Sequence, residues 1–212
     1  MQAFLNGIRT PRTGAPLRRQ LLTTAGLLAG GFALGVLQKW LDSAPGSQFL
    51  SWIQLDISNF FGRFAIWILL GTAISVYART PLRAAINTFA FLIGMLAGYY
   101  LYCHLALGFL PKTYLLIWVA AACASFFLAY ACWYARGEGP AAVLLSGAIL
   151  GVLLAQAVSL TQGLYVYHAA EAVVWVLGFL LLYRRKPKEL ALELAVALAV
   201  AVAYQLAVPY WG

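Results

Sequence analysis

The chain has 212 residues, of which 64% are hydrophobic and only 9% are charged. A soluble domain carries about 25% charged residues, so this chain could not cover a water-facing surface with polar groups. The composition excludes a soluble globular enzyme, a disordered tail, a fibrous repeat and a disulfide scaffold, and it indicates an integral membrane protein. The net charge of +8 does not indicate nucleic-acid binding, because the basic residues lie between apolar segments rather than on one face.

Seven apolar segments have, or approach, the length of about 20 residues that a helix needs to cross a bilayer. They cover about residues 20–38, 60–78, 84–107, 113–135, 141–160, 164–183 and 189–208. Alternation with a period of two residues is absent, so a helix bundle is predicted. The fold class is therefore all-α: a polytopic bundle of seven transmembrane helices, forming one domain over residues 20–212 after a basic cytoplasmic segment, 1–19.

The distribution of Lys and Arg predicts the orientation, because cytoplasmic loops carry an excess of these residues. With the N-terminus inside, eleven basic residues lie on the inner side: Arg9, Arg12, Arg18, Arg19, Arg79, Arg83, Arg136, Arg184, Arg185, Lys186 and Lys188. Only Lys39, Arg63 and Lys112 lie on the outer side. We therefore expect the N-terminus in and the C-terminus out. The apolar run of the first helix, about 17 residues, is long for a signal peptide, so we expect this helix to be uncleaved. The chain is expected to be a multi-pass protein of the cell (plasma) membrane.

The first outer loop, about residues 39–59, has an amphipathic pattern. Phe49, Ile53 and Ile57 recur on one face of a helix, and Ser51, Gln54 and Ser58 take the other face. Two interpretations remain open. The loop is either a connector that rests on the lipid surface or a lid over an outer cavity.

Small residues on the first and fifth spans predict close packing between helix backbones. The candidates are Gly31, Gly35, Gly147 and Gly151. The sequence after each glycine pair is Val-Leu, so the two motifs echo each other. The echo is either chance similarity in an apolar chain or the mark of two parallel repeats, spans one to three and five to seven, around a linking fourth span.

Polar residues inside the spans concentrate in the predicted outer half of the membrane. An ionisable group at this depth is a functional candidate by default, because it is costly unless it is paired or hydrated. By helix rise, six candidates fall within about 10 Å of the outer boundary. They are Arg63, His104, Gln156, His168, Glu171 and Gln205. The sequence thus predicts an outward-facing polar site that these residues line as ligand-binding groups.

His168 and Glu171 are three positions apart and share one helix face. Such a pair can ligate a metal, relay protons or bind an amine. The structural alternative is that Glu171 pairs with Arg63 while His168 lies at the headgroup level. We expect Glu171 to face the bundle interior and to pair with Arg63, since both enter from the outer side at similar depth.

No catalytic constellation fits the predicted topology. Ser146 and His168 would be about 20 Å apart by helix rise, which is too far for a nucleophile and its base. The sequence contains no phosphate-binding loop, paired-cysteine metal site or His-Glu-x-x-His motif. We therefore predict no catalytic residue, no metal and no cofactor, and not an enzyme.

Three stretches resemble an uncharacterised bacterial family of small multi-pass integral membrane proteins. They are Leu34–Leu37, Gly62–Trp67 and Gly98–Tyr100. This resemblance implies no activity. The chain is also similar in size to the substrate-binding subunits of energy-coupling-factor vitamin transporters, which have small-residue motifs on the first helix and an outward-facing solute site. It differs from them in having seven predicted spans rather than six.

Taken together, these features favour a small-solute transporter, or the solute-binding membrane subunit of one. The alternative is a non-enzymatic accessory or assembly subunit that packs against a partner through its glycine-lined faces. The expected partners are the lipid bilayer, a small solute from the outer side, and a membrane protein partner or a second copy of the chain.

Overall fold

The computed structural model describes residues 2–12, 14–43, 57–108, 112–184 and 186–208. In these residues the chain forms nine α-helices, one 3-10 turn and one two-stranded hairpin. The helices are α1 (Gln2–Ile8), α2 (Leu17–Ser43), α3 (Ile57–Gly62), α4 (Phe64–Tyr77), α5 (Pro81–Leu107), α6 (Lys112–Cys132), α7 (Pro140–Ala157), α8 (Ala169–Leu182) and α9 (Pro187–Ala207). The 3-10 turn is Trp133–Arg136, and strands β1 (Val158–Ser159) and β2 (Tyr165–Val166) form the hairpin.

Five helical segments in the described part of the chain are long and apolar enough to cross a membrane. They are α2, α5, Leu115–Arg136 (most of α6 with the 3-10 turn), α7 and α9. Helices α4 and α8 are also apolar but have 14 residues each, or about 21 Å, against a hydrocarbon core of about 30 Å. The all-α prediction is confirmed, and five of the seven predicted spans have membrane-crossing length.

The hairpin corrects the predicted boundaries of two spans, 141–160 and 164–183. Helix α7 ends at Ala157 and α8 begins only at Ala169. Between them, Val158 pairs with Val166 and Ser159 with Tyr165 in antiparallel register. The turn contains Gly163 at φ +112°, a conformation that L side chains rarely adopt. Tyr165 and Val166, which follow this turn, pair with β1. They are apolar residue types that favour strands, and composition alone does not distinguish them from the residues of an apolar helix.

The predicted outer loop, 39–59, is corrected at both ends. Helix α2 continues to Ser43, and Lys39 forms an ion pair with Asp42 one turn later. Helix α3 occupies Ile57–Gly62, and the predicted span 60–78 is interrupted at Arg63, between α3 and α4. The rest of the amphipathic pattern, residues 44–56, lies outside the described residues.

The chain divides into two compact units. The first unit comprises Met1–Pro11, Arg63–Val76 and Ala131–Gly212, and the second comprises Arg12–Gly62 and Tyr77–Tyr130.

In the second unit, α2 and α5 pack backbone against backbone. A Cβ on Gly31 or on Gly35 would lie 2.0 Å from a carbonyl oxygen of α5. A Cβ on Gly94 or on Gly98 would in turn lie 2.2 or 2.1 Å from a carbonyl oxygen of α2. Both helices therefore contribute a glycine pair at four-residue spacing, which lets them approach more closely than any larger residue allows.

The start of α5 is fixed by its own sequence and by α2. Thr80 is the N-cap and accepts a hydrogen bond from Arg83 N, and Pro81 occupies the first turn. The Arg83 guanidinium donates to the carbonyl of Gln20 at 2.7 Å and to the hydroxyl of Thr24 at 2.5 Å. These contacts tie the beginning of α5 to the beginning of α2.

In the first unit, α7 packs against α9 and α8. A Cβ on Gly147 or Gly151 would lie 2.8 or 2.6 Å from the carbonyl oxygen of Glu193 or Ala197 on α9. On α8, Gly178 leaves room for Leu153 of α7, whose methyl would lie 2.7 Å from an added Cβ. A core of Val76, Ala135, Leu150, Leu182 and Ala197 fills the space between the elements of this unit.

The N-terminal segment, predicted as a separate cytoplasmic stretch over residues 1–19, is divided between the two units. Ile8 at the end of α1 accepts a hydrogen bond from Glu138 N at 2.8 Å. Arg9 donates to the carbonyls of Trp133 and Val76, and its guanidinium lies 4.2 Å from the centre of the Trp133 ring. These contacts make residues up to Arg9 part of the first unit's packing.

Candidate functional site

The first unit holds a buried ion pair where two short helices begin. Arg63 directly precedes α4, and Glu171 lies in the first turn of α8. Arg63 Nη1 lies 2.9 Å from Glu171 Oε1. The Glu171 side chain is 1% exposed and that of Arg63 is 26% exposed. The predicted pair between these residues is therefore present, and the carboxylate is its deeply buried member.

The sequence of α8 explains why Glu171 points inward. The buried residues of this helix are Glu171, Val174, Gly178 and Leu182, which recur every three or four positions and form one face. The same face carries Gly178, which packs on α7, so Glu171 is held toward the interior of the unit. An acidic residue in the first turn is also favoured by the helix dipole.

The Glu171 carboxylate has unused hydrogen-bonding capacity. Neither Oε1 nor Oε2 has a hydrogen-bond partner among the residues that the structure describes, so the close approach of Arg63 is an ion pair without hydrogen-bond alignment. A carboxylate can accept about four hydrogen bonds. A buried group of this kind is unusual in native proteins and calls for a functional or structural explanation.

His168 stands next to this carboxylate on the more exposed side. Its Nδ1 lies 4.0 Å from Glu171 Oε2, which is too long for a hydrogen bond. The His168 side chain is 47% exposed, and the residue is the N-cap of α8 without a side-chain cap bond. The imidazole thus lies between the surface of the unit and the buried carboxylate, within reach of both.

Gln205, another predicted ligand-binding residue, is fully engaged in holding the hairpin. Its Nε2 donates to the carbonyls of Ala155 and Val158 at 2.9 and 2.6 Å. Its Oε1 accepts from Leu160 N at 2.9 Å and from the Thr161 hydroxyl at 3.4 Å. These four bonds use the donors and acceptor sites of the amide, so Gln205 serves as a structural anchor.

The remaining two candidates are Gln156 and His104. Gln156 is buried near the end of α7, where its Nε2 contacts the carbonyl of Val152 at 3.5 Å. His104 belongs to the second unit and is exposed in the last turn of α5. Of the six predicted residues, the structure brings Arg63, His168 and Glu171 into one group, which we call the Glu171 site.

A second ionic group lies at the other end of the first unit, where α8 ends and α9 begins. Arg184 Nε lies 3.6 Å from Glu193 Oε1, and its Nη1 lies 3.4 Å from Glu189 Oε2. The same guanidinium donates to the Ser146 hydroxyl at 3.4 Å and to the carbonyl of Ala135 at 2.8 Å. Glu193 and Ser146 are fully buried. We call these residues the Arg184 cluster.

Sequence reasoning missed the Arg184 cluster, because it counted Arg184 only among the basic residues of the inner side. One signal was available. Glu193 lies two turns into an apolar helix, and its neighbour one turn earlier, Glu189, is also acidic, so its counter-charge had to come from outside α9. The basic residues just before Pro187 were the nearest candidates.

The Glu171 site presents charged and polar groups that are able to contact a polar molecule. Within the described ranges, no group of three or more His, Cys, Asp or Glu residues is placed to hold a metal ion. The Glu171 site offers one buried anion, one partly exposed guanidinium and one imidazole. This combination presents acceptors and donors of opposite charge at short range.

No family model matches this chain, and neither a curated protein nor a solved structure matches it. The resemblance to an uncharacterised bacterial family therefore stays a prediction.

Proposed function

We propose that this chain is a small-solute transporter, or the solute-binding membrane subunit of one, and that the Glu171 site receives the solute. The contact between Arg63 and Glu171 carries the proposal, because it joins the starts of the two short apolar helices, α4 and α8. A buried carboxylate without hydrogen bonds is costly in an apolar chain. A polar solute that donates hydrogen bonds to the carboxylate would offset part of this cost.

The lengths of these helices support the proposal. If α4 and α8 are spans two and six of seven, each falls about 9 Å short of the hydrocarbon core. The backbone around Arg63 and the hairpin before α8 would then lie at membrane depth. Non-helical backbone at this depth is tolerated where it is buried in protein or lines a water-filled cavity. Transporters place substrate sites at such interrupted helices.

The order of elements also supports the proposal, since it favours the parallel repeat over chance similarity. In chain order, helices α2, α4 and α5 are one set of three, and α7, α8 and α9 are a second. In each set the first and third helices pack through glycines, and the second helix has 14 residues. Arg63 and His168 occupy the same position, directly before the second helix. Transporters built from parallel repeats have this organisation.

The proposal also includes the number of spans, the orientation of the termini and the membrane in which the chain lies. Seven spans are proposed from the lengths of the apolar segments. The N-terminus inside and the C-terminus outside are proposed from the eleven-to-three split of basic residues, and the cell membrane is the expected location. The Glu171 site then faces outward, because it lies where α7 and α9 end and α8 begins.

Uptake into proteoliposomes tests the function. Purified protein is reconstituted and assayed with a panel of radiolabelled small solutes: sugars, amino acids, amines and carboxylates. We expect saturable uptake of one class, and strong loss of it in Glu171→Gln. Asp42→Asn is the matched control, because it makes the same chemical change at a 41% exposed carboxylate of the second unit. Copurification of an ATPase from native membranes would identify the chain as a transporter subunit.

One observation favours the accessory-subunit alternative. Gly31, Gly35, Gly147 and Gly151 are used within the chain, but a Cβ on Gly26 or Gly30 of α2 would meet nothing within 4 Å among the described residues. Gly26 and Gly30 are four positions apart on α2, a spacing that lets the backbone of a partner helix approach closely. A stoichiometric membrane partner without transport machinery, lost in Gly30→Leu, would support this alternative.

A further inference from the structure

In the second unit, α2 and α5 are parallel and begin at the same end. Their contacts rise together along both helices, pairing Gln20 with Arg83, Leu28 with Gly94 and Phe32 with Gly98. The first turn of a helix has backbone N–H groups without intrahelical partners and the positive end of the helix dipole. Two such helix starts therefore lie side by side at this end of the unit.

The same end carries five arginines. Two of them are in the first turn of α2, one is in the first turn of α5, and one directly precedes the N-cap of α5. The fifth, Arg12, donates its backbone N–H to the carbonyl of Arg79 at 2.9 Å. We call this set the five-arginine end: Arg12, Arg18, Arg19, Arg79 and Arg83. All except Arg83 are exposed.

The described part of the unit supplies no anion to the five-arginine end. None of the five arginines forms an ion pair with a residue that the structure describes. The acidic residues in the sequence of this unit are Asp42 and Asp56. Asp42 lies toward the opposite end of α2, about 33 Å from Gln20 by helix rise, and Asp56 lies outside the described residues.

The guanidinium of Arg83 is held in place through one of its nitrogens. Its Nη2 donates to the carbonyl of Gln20 and to the hydroxyl of Thr24, and this hydroxyl donates to Asn87 Oδ1 at 2.7 Å. Nε and Nη1 of Arg83 have no acceptor within the described ranges, and neither atom is buried. Arg83 thus presents fixed, accessible donors, and guanidinium groups form strong charge-assisted bonds with phosphate oxygens.

The surroundings of the arginines indicate which phosphate reaches them. Helices α2 and α5 have 27 residues each, or about 40 Å, so they cross a hydrocarbon core of about 30 Å and extend into the headgroup layer. Apolar side chains more than half exposed begin within one turn of the arginines: Leu17, Leu21, Leu22 and Leu82. Leucines in this position meet acyl chains, and the arginines beside them lie at the level of the lipid phosphates. A soluble anion or an acidic protein would use the arginines but not the leucines.

We propose that the five-arginine end binds anionic phospholipid, with the lipid phosphate contacting Arg83 and the exposed arginines and the acyl chains lying along the leucines of α2 and α5. Clusters of about four to eight Lys and Arg residues next to a membrane-crossing helix attract anionic headgroups. This inference depends neither on transport nor on the orientation of the chain, since it concerns whichever leaflet meets this end.

Lipid competition tests the proposal on the wild-type protein. Protein purified in a neutral detergent is mixed with equal amounts of phosphatidylglycerol and phosphatidylcholine that have the same acyl chains, and native mass spectrometry counts the two complexes. Both lipids contain a phosphate, but only phosphatidylglycerol has a net negative charge. We expect the phosphatidylglycerol complex to exceed the phosphatidylcholine complex at least about fivefold. Equal binding of the two lipids overturns the proposal.

Variants then locate the lipid. Arg18→Gln combined with Arg79→Gln removes one exposed arginine near the start of each helix and leaves the hydrogen bonds of Arg83 intact. The matched control is Lys186→Gln combined with Lys188→Gln, which removes two positive charges from the first unit, where Glu189 lies 3.1 Å from Lys186. The preference should fall several-fold in the arginine variant and stay unchanged in the control. Thermal unfolding verifies that both are folded. An equal fall in both would show that the preference follows total charge, and it would overturn the assignment.

Soluble competitors separate a lipid from other anions. Glycerophosphoglycerol is the same headgroup without acyl chains, and polyglutamate imitates an acidic protein segment. At constant ionic strength, an excess of either should leave the phosphatidylglycerol complex in place, because neither contacts the leucines. Displacement by glycerophosphoglycerol would indicate a site for a soluble phosphate, and displacement by polyglutamate would indicate a protein partner. Either result overturns the lipid assignment.

Discussion

Arg9 and Arg184 hold the same 3-10 turn, Trp133–Arg136, although 175 positions separate them in the sequence. Arg9 Nη1 donates to the carbonyl of Trp133 at 2.5 Å, and Arg184 Nη2 donates to that of Ala135 at 2.8 Å. Carbonyls at a helix end lack intrahelical donors, and cations are favourable there. The two arginines therefore fix the turn that joins α6 to α7.

Removing Arg184 should destabilise the protein strongly. In Arg184→Met the fully buried Glu193 loses its nearest described cation, and breaking a buried pair in this way costs about 3 kcal/mol or more. The free energy of unfolding in bicelles checks this. Adding Glu193→Leu to Arg184→Met should recover part of the loss. A double variant less stable than the single one would show that the carboxylate does not depend on Arg184.

The pair between Arg63 and Glu171 should appear as coupling in a double-mutant cycle. Glu171→Gln alone removes the carboxylate charge that Arg63 contacts, so it should be more damaging than Glu171→Gln combined with Arg63→Gln. We expect a coupling energy of about 1–3 kcal/mol in unfolding measurements. If the two single effects simply add, the contact contributes nothing to stability.

Glycines on one helix should differ sharply in their tolerance of a side chain. Gly35→Ala places a Cβ 2.0 Å from the Met95 carbonyl oxygen, so α2 and α5 must separate. Gly30→Ala is the matched control, because its Cβ meets nothing within 4 Å in the described residues. We expect Gly35→Ala to lose about 2 kcal/mol or more and Gly30→Ala to change little. Similar unfolding curves for the two variants would contradict the packing.

Cysteine labelling tests the topology that the proposal adds. In a background without Cys103, Cys123 and Cys132, a cysteine at position 168 should react with a membrane-impermeant maleimide added to intact cells. A cysteine at position 186 should react only after permeabilisation, because eleven basic residues place that loop inside. The reverse pattern would invert the orientation and place the Glu171 site on the cytoplasmic side.

Segment length and charge predicted the parts of the fold that depend on burial alone. The apolar segments mark the five long helices, and opposite charges on two spans predicted the Arg63–Glu171 pair. Sequence reasoning missed the hairpin because Tyr165 and Val166 are as apolar as the residues of a membrane-spanning helix. Only the turn at Gly163 distinguishes this strand from a helix. The Arg184 cluster was missed because its members come from three separate segments, and their meeting depends on tertiary packing.

The glycines show the same limit, namely that the sequence does not tell which elements meet in the fold. Gly31 and Gly35 were recognised as a packing motif, but their partners Gly94 and Gly98 have the same spacing and were passed over. The motif predicts that a helix packs closely, and it does not tell which helix it meets. Gln205 is the converse case, since its polarity predicted a ligand contact, whereas the end of α7 and the hairpin use all of its bonds.

Solute binding that depends on Glu171 tests the proposed function most directly. Thermal unfolding of the purified protein is measured against a library of small polar solutes, for the wild type, Glu171→Gln and Asp42→Asn. At least one solute class should raise the unfolding temperature of the wild type and of Asp42→Asn in a saturable way, since a ligand that binds the folded state stabilises it. The same class should leave folded Glu171→Gln unchanged. Equal stabilisation of all three proteins, or no stabilisation of the wild type by any solute, would contradict a solute site at Glu171.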